Sequence, residues 1–179
     1  MRVISGSARG KKLVSPEGMD VRPTLDRVKE SVFNMIAFSL SDALVLDLFS
    51  GSGALGIEAL SRGAKGAVFV DKSDTSLSVT KENLRITSLD GKAKCILSDF
   101  AEFLENTSDK FDIIFLDPPY SDGLLNEALL LINKRELLAD DGYIICETDD
   151  EKFSPDENLF SVYRAKKYGK IFVFVLQNL

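Results

Sequence analysis

Short apolar runs alternate with longer amphipathic stretches along most of the chain. Val45-Leu46-Asp47-Leu48, Ala67-Val68-Phe69-Val70, Ile113-Ile114-Phe115-Leu116 and Tyr143-Ile144-Ile145-Cys146 are nearly continuous in apolar residues. That is the pattern of strands buried on both faces. Strands are predicted at about 44–48, 67–71, 93–97, 111–116 and 142–147, with helices between them at about 54–62, 73–88, 99–105 and 123–133. Strict alternation of this kind predicts an α/β fold around a mostly parallel sheet. Leu159 to Arg164 and Ile171 to Leu176 flank Tyr168-Gly169 with no helix between, so the sheet is expected to close with an antiparallel hairpin. Ahead of all this, Val3-Ile4-Ser5 and Lys12-Leu13-Val14 predict two short strands of a small hairpin. Leu25, Val28, Val32, Phe33 and Ile36 then form one face of a helix, with Thr24 as its N-cap. Residues 1–179 are read as a single domain, in which 1–40 are an N-terminal hairpin and helix extension.

Composition narrows the chemistry. The 179 residues are 45% apolar, enough for one sizeable core. No run of 18 apolar residues exists, and Met1-Arg2-Val3-Ile4-Ser5-Gly6 lacks the long apolar region of a signal peptide. No membrane association and a cytoplasmic location are expected. Cys95 and Cys146 lie in apolar runs without metal-binding spacing and read as core thiols. The absence of histidine argues against a nucleophilic triad or a zinc centre, and no metal is expected.

Net charge is −6, yet residues 1–40 carry seven Lys/Arg against four Asp/Glu, a net of +3 that leaves −9 for the rest. Arg9, Lys11, Lys12, Arg22, Arg27 and Lys29 lie in that first segment, and Arg164, Lys166, Lys167 and Lys170 form a second cluster. Both are expected to flank one groove for a polyanion.

The unusual residues gather where the predicted strands end. Asp47 closes the first strand and is followed by Phe49-Ser50-Gly51-Ser52-Gly53-Ala54-Leu55-Gly56, a tight turn opening the N-terminus of a helix, where side chains at Gly51 and Gly53 would block a ligand. Asp71 ends the second strand, 20 residues after Gly51, where a carboxylate can take both hydroxyls of a ribose. Asp99 follows the third strand and Asp117 the fourth. Ligands of such sheets bind outside the carboxyl ends of the strands, and four acids in succession suit a cationic or hydroxyl-rich one. The same glycines match a dinucleotide-binding turn, but an acid beneath the turn would repel a pyrophosphate. S-adenosylmethionine, with an amino group and a sulfonium and no phosphate, suits it.

Asp117-Pro118-Pro119-Tyr120 carries the most specific chemistry. Successive prolines stiffen the loop and remove two backbone donors. The tip is acceptor-only, with the Asp117 carboxylate and the Pro118 carbonyl beside the Tyr120 ring. Two fixed acceptors can hold an exocyclic amine while the tyrosine stacks on an extruded base.

This tetrapeptide resembles the D/N-P-P-Y/F motif of amino-group methyltransferases acting on nucleic-acid bases. Val3-Ile4-Ser5-Gly6 with Ala8-Arg9-Gly10, Arg22-Pro23-Thr24 with Asp26-Arg27-Val28-Lys29-Glu30, Phe33-Asn34, and Asp47 to Gly56 with Glu58 to Gly63 are similar to the RsmD family, nearly end to end. Ser50 stands where the family usually has alanine, and Asp71 where glutamate is commoner. The resemblance implies a Rossmann-like class I methyltransferase fold, a seven-stranded sheet, and methylation of the N2 amine of one guanine in 16S ribosomal RNA. It implies S-adenosylmethionine bound by Asp47, Phe49, Gly51, Ser52 and Gly53, by Asp71 with neighbouring Lys72, and by Asp99 with Phe100. Asp117, Pro118 and Tyr120 would be catalytic. Pro119, Arg9, Lys11, Arg22, Thr24 and Arg27 would contact the RNA, within a 30S subunit or an assembly intermediate, and the enzyme would work as a monomer. An adenine-N6 methyltransferase on DNA or RNA, a non-catalytic RNA-binding factor and an NAD-dependent oxidoreductase are the alternatives.

Overall fold

The structure, a computed structural model, describes residues 1–15, 23–119 and 123–179, the side chains of 23–25 excepted. Its sheet contains β1 (Leu44–Asp47), β2 (Gly66–Asp71), β3 (Ala93–Leu97), β4 (Phe111–Leu116), β5 (Leu138–Thr148), β6 (Phe160–Tyr168) and β7 (Ile171–Asn178). The helices are α1 (Pro23–Met35), α2 (Ala54–Ser61), α3 (Asp74–Thr87), α4 (Phe100–Asn106) and α5 (Leu124–Lys134). Strand order is β3-β2-β1-β4-β5-β7-β6. The first five strands pair in parallel, and β7 runs antiparallel to both β5 and β6. This is the Rossmann-like mixed sheet with a C-terminal hairpin. The order reverses between β1 and β4, which opens a crevice at their carboxyl ends.

Two apolar layers enclose the sheet. On one face α1 buries Val28, Val32, Phe33 and Ile36 together with Val45, Phe115, Ile145 and Val175. On the other, α5 buries Leu125, Ala128, Leu129 and Ile132 together with Leu46, Ile114, Leu116 and Cys146. Alternate residues of β1 and β4 thus serve both layers, which is why these strands read as unbroken apolar runs. Phe33 and Phe115 meet with ring centroids 5.5 Å apart, tying α1 to the sheet. Burial pushes the pKa of Cys146 up, and that of half-buried Cys95, consistent with core thiols. Among the described residues no helix is long and apolar enough to cross a membrane.

The N-terminal segment differs from expectation. Instead of two strands it forms one isolated antiparallel bridge, Arg2 with Lys12. Residues 5–10 turn on themselves, with Arg9 N–H donating to the Gly6 carbonyl and Gly10 N–H to that of Val3. The Ile4 and Ser5 N–H groups reach the Glu58 carboxylate of α2 at 2.8 and 3.0 Å rather than a strand partner. Glu58 also binds Arg62 at 2.8 Å and Lys29 of α1 at 3.3 Å, and Lys29 donates to the Arg2 carbonyl at 2.6 Å. A buried carboxylate therefore clamps the N-terminal segment and α1 to α2.

Two further boundaries shift. The helix α1 begins at Pro23, so Thr24 lies inside its first turn and is not the N-cap; proline is well suited to a first turn because it has no N–H to satisfy. β5 begins at Leu138, before the predicted 142, through an irregularity in which Phe111 pairs with Leu138 and Ile113 with Tyr143. Asp140-Asp141-Gly142 imitates a turn in sequence and forms this bulge in the structure.

Candidate active site

The turn after β1 is held from beneath and from the side. Asp47, only 3% exposed, accepts a hydrogen bond at 2.9 Å from the Gly56 N–H in the first turn of α2. This partner offsets part of the desolvation cost of an acid at the end of an apolar strand. A side chain at Gly56 would place its Cβ 2.3 Å from the Phe69 ring and 3.2 Å from Asp47. Gly51, at φ +52°, has open space where a Cβ would stand, so the turn leaves room for a ligand there. Gly53 has a different reason from the expected one: its Cβ would lie 2.8 Å from Thr80 of α3. α3 also fixes the turn's carbonyls, with Thr80 Oγ1 donating to Gly51 and Asn83 Nδ2 to Ser52, both at 2.9 Å. Asn83 holds Val14 at N–H and carbonyl as well, so the same side chain joins the turn to the N-terminal segment.

Asp71 ends β2 and accepts from the Gly51 N–H and the Ser73 N–H, each at 2.9 Å. Each oxygen keeps a lone pair for a hydroxyl. Its neighbour Lys72 is exposed. Asp99 caps α4 by accepting from the Ala101 N–H at 2.9 Å. Phe100, the first residue of that helix, packs on Phe49 with centroids 5.3 Å apart, making an apolar wall beside the turn.

On the far side of the crevice stand Asp117 and Glu147. Asp47 pairs with Phe115, Phe115 with Ile145, and Leu116 with Cys146. Asp117 and Glu147 are the next residues of adjacent strands and share the sheet face of Asp47, because side chains alternate along a strand. Desolvation, then the charges of Asp117 and Asp47, push Glu147 up to about 8. Desolvation raises Asp47 to about 7, opposed by its Gly56 hydrogen bond and aided by Asp117 and Asp71. Asp117 is exposed at the rim, and desolvation raises it less, to about 6.

These shifts set a pH dependence. Acids whose pKa rises on folding hold protons in the native state that the unfolded chain has lost, so stability falls as pH rises from their ordinary values towards the native ones. The ligand-free protein is therefore expected to show a lower Tm at pH 8.5 than at pH 5.5. Glu147→Gln should flatten that slope, as scanning calorimetry would show; a wild-type Tm that rises over this window contradicts the shifts.

The remaining predicted residues divide. Arg9, Lys11 and Arg27 are exposed on the N-terminal segment and α1; Pro118 is half-buried and Pro119 exposed. Arg22 and Tyr120 lie outside the described residues, as does the side chain of Thr24. Arg164, Lys166, Lys167 and Lys170 are exposed on β6 and the turn after it, Lys167 paired with Glu151 at 2.9 Å. Contact between the hydroxyls of Ser31 and Tyr168 ties α1 to that hairpin.

Residues 1–177 match the family model described as Conserved hypothetical protein 95. Ribosomal RNA small subunit methyltransferase D of Escherichia coli (strain K12) is 38% identical over 172 residues, spanning 96% of this chain and 86% of that protein. The chain belongs to the RsmD family. YlbH of Bacillus subtilis (strain 168), described as a proposed rRNA methyltransferase, is 43% identical over 87% of this chain and 86% of its own length. The solved structure of yhhF from Escherichia coli, a proposed methyltransferase, superposes with a TM-score of 0.90 at 38% identity, covering 99% of this chain and 97% of the other.

The site fits the S-adenosylmethionine expected of an RsmD-family enzyme. Ser50 Oγ is buried without a partner among the described residues, and the space beside Gly51 is open. Among the described residues desolvation and neighbouring acids, with no cation, raise the pKa values of Asp47 and Glu147, so a ligand with positive centres would relieve them. Glu147, Asn83 and Thr80 escaped the sequence reading, and Glu58 entered it only as part of the family resemblance, without a role. Glu147 had a signal: an acid closing the apolar run Ile144-Ile145-Cys146, as Asp47 closes Val45-Leu46.

Proposed function

We propose that the chain transfers a methyl group from S-adenosylmethionine to the exocyclic N2 amine of a guanine in 16S ribosomal RNA. One observation carries this reading: across the switch crevice from the glycine turn, the stiff loop at the end of β4 presents the Asp117 carboxylate, which no described residue hydrogen-bonds. When bound, the cofactor would supply an electrophilic methyl for the amine and carry away the sulfur as its neutral thioether. Asp47 and the turn at Gly51 to Gly53, with Phe49 and Ser52, hold its methionine part; Asp71 and Lys72 hold the ribose, and Asp99 and Phe100 the adenine. Asp117 and the Pro118 carbonyl hold the amine's two protons and orient its lone pair, and positioning supplies most of the acceleration. Asp117 then accepts the leaving proton. Tyr120 stacks on the base beside Pro119.

Arg9, Lys11, Arg22, Thr24 and Arg27 contact the RNA backbone. The substrate is an RNA presented by ribosomal proteins, in the 30S subunit or an assembly intermediate. The protein acts in the cytoplasm as a monomer and as one domain, with residues 1–40 as its extension. Supporting the last point, Val3, Ala8 and Leu13 share the core layer of Val45 and Phe115.

Titration calorimetry tests the cofactor. Heat with S-adenosylmethionine and none with NAD is expected, and the reverse would return the glycine turn to a dinucleotide. Arg9→Ala should also reduce the slope of log affinity against log salt for small subunits by about 1. An unchanged slope in filter binding would remove Arg9 from the RNA face.

A further inference from the structure

Glu147 is 8% exposed, ends an apolar strand, and receives no hydrogen bond from any described residue. Among the described residues its surroundings contribute desolvation and the charges of Asp117 and Asp47. It faces the crevice from the strand next to Asp117, about 4.8 Å away in backbone spacing, and on the side away from the glycine turn, since the strand order is β1-β4-β5. The acids run in line: Asp47 beneath the turn, Asp117 next, Glu147 beyond. Among the described residues no group of three acids is placed to hold a metal ion.

We propose that Glu147 is a specificity residue, whose carboxylate accepts the ring N1–H of guanine while Asp117 holds the adjacent N2 amine. This rests on the guanine reading above and deepens it. The argument is one of donor pattern. The amine of adenine is flanked by N1, an acceptor, and that of cytosine by N3, an acceptor. Only guanine places a ring N–H donor beside its amine. A second acceptor next to Asp117 therefore favours guanine and repels the other two, and a site built to hydrogen-bond one donor discriminates strongly against a base lacking it. The cofactor's positive centres would bring the raised pKa of Glu147 back down and leave it ionised, and the N1–H would then be the partner that no described residue provides.

The test uses small subunits reconstituted with 16S RNA carrying a single 2,6-diaminopurine at the methylated guanine. That base keeps the N2 amine but has a lone pair at N1. The wild-type enzyme should prefer guanine over diaminopurine by about 100-fold in kcat/KM, the scale of one charge-assisted hydrogen bond lost. In Glu147→Gln the amide NH2 can donate to that N1, and the preference should fall at least about 10-fold, while S-adenosylmethionine affinity by calorimetry stays within a few-fold. Glu147→Ala should lose activity on guanine without gaining any on diaminopurine. An unchanged preference in Glu147→Gln overturns the proposal while leaving guanine methylation standing. A wild-type enzyme that methylates neither base removes the guanine reading itself, and the proposal with it.

Discussion

Asp117→Ala is expected to lower kcat by about 10²- to 10⁴-fold, the range spanned by positioned acid–base groups, while the dissociation constant for S-adenosylmethionine stays within a few-fold. The separation follows from the architecture. The cofactor turn hangs on β1, α2 and α3 through Asp47, Thr80 and Asn83, and Asp71 holds it from β2. Asp117 stands across the crevice on β4's end. Removing it also takes away a charge that raises both Asp47 and Glu147, which is why a few-fold change in cofactor affinity is allowed for. Asp117→Asn keeps one carbonyl acceptor and loses the capacity to take a proton. If holding the amine matters more than accepting its proton, Asn should retain clearly more activity than Ala. Single-turnover rates and calorimetry on both variants decide this. Equal loss of turnover and cofactor binding would contradict the assigned role.

Glu58→Ala should be the most damaging change to the fold, costing about 3–5 kcal/mol, the scale for breaking a buried ion pair from one side. The carboxylate is fully buried and holds four groups: the Ile4 and Ser5 N–H, Arg62 and Lys29. Without it Lys29, only 5% exposed, would remain as a buried cation that has lost its ion-pair partner. Desolvation already lowers the pKa of Lys29, and the Coulombic pull of Glu58 is the largest influence opposing that. For a chain of this size the loss corresponds to a fall in Tm of about 6–20 °C. Urea unfolding monitored by circular dichroism measures it, and a change below about 1 kcal/mol would show that the clamp contributes little. Glu58→Gln, which keeps acceptor and shape, should fall between. Because the clamp carries the N-terminal segment, proteolysis within residues 1–14 should quicken in both variants.

Most of the sheet was readable in the sequence because β1, β2 and β4 are buried on both faces, and their Val, Leu, Ile and Phe runs leave little room for another assignment. The C-terminal hairpin was readable for a different reason, two strand-like runs meeting across Tyr168-Gly169 with no helix between, since β6 is mostly exposed. What the sequence hid depends on tertiary contacts. The N-terminal strands looked sound by propensity, but Glu58, more than fifty positions away, takes the Ile4 and Ser5 N–H groups that would otherwise bond a strand partner. The start of β5 was obscured by Asp140-Asp141-Gly142, a turn signal used as a bulge. Within the site, Asp47, Asp71, Asp99 and Asp117 stand out because each follows an apolar run. Glu147 does too, but β5's place beside β4 becomes visible only in the strand order. Thr80 and Asn83 carry no local signal at all; on α3 they are polar residues of a helix, and only the fold turns them towards the glycine turn.

The central claim is that these strand ends bring a methyl donor to the N2 amine of guanine. It is tested most directly by transferring labelled methyl from S-adenosylmethionine to unmodified small ribosomal subunits and digesting the RNA to nucleosides. N2-methylguanosine from a single site is the predicted product. Label in methylated adenosine, or no transfer to RNA at all, would contradict it.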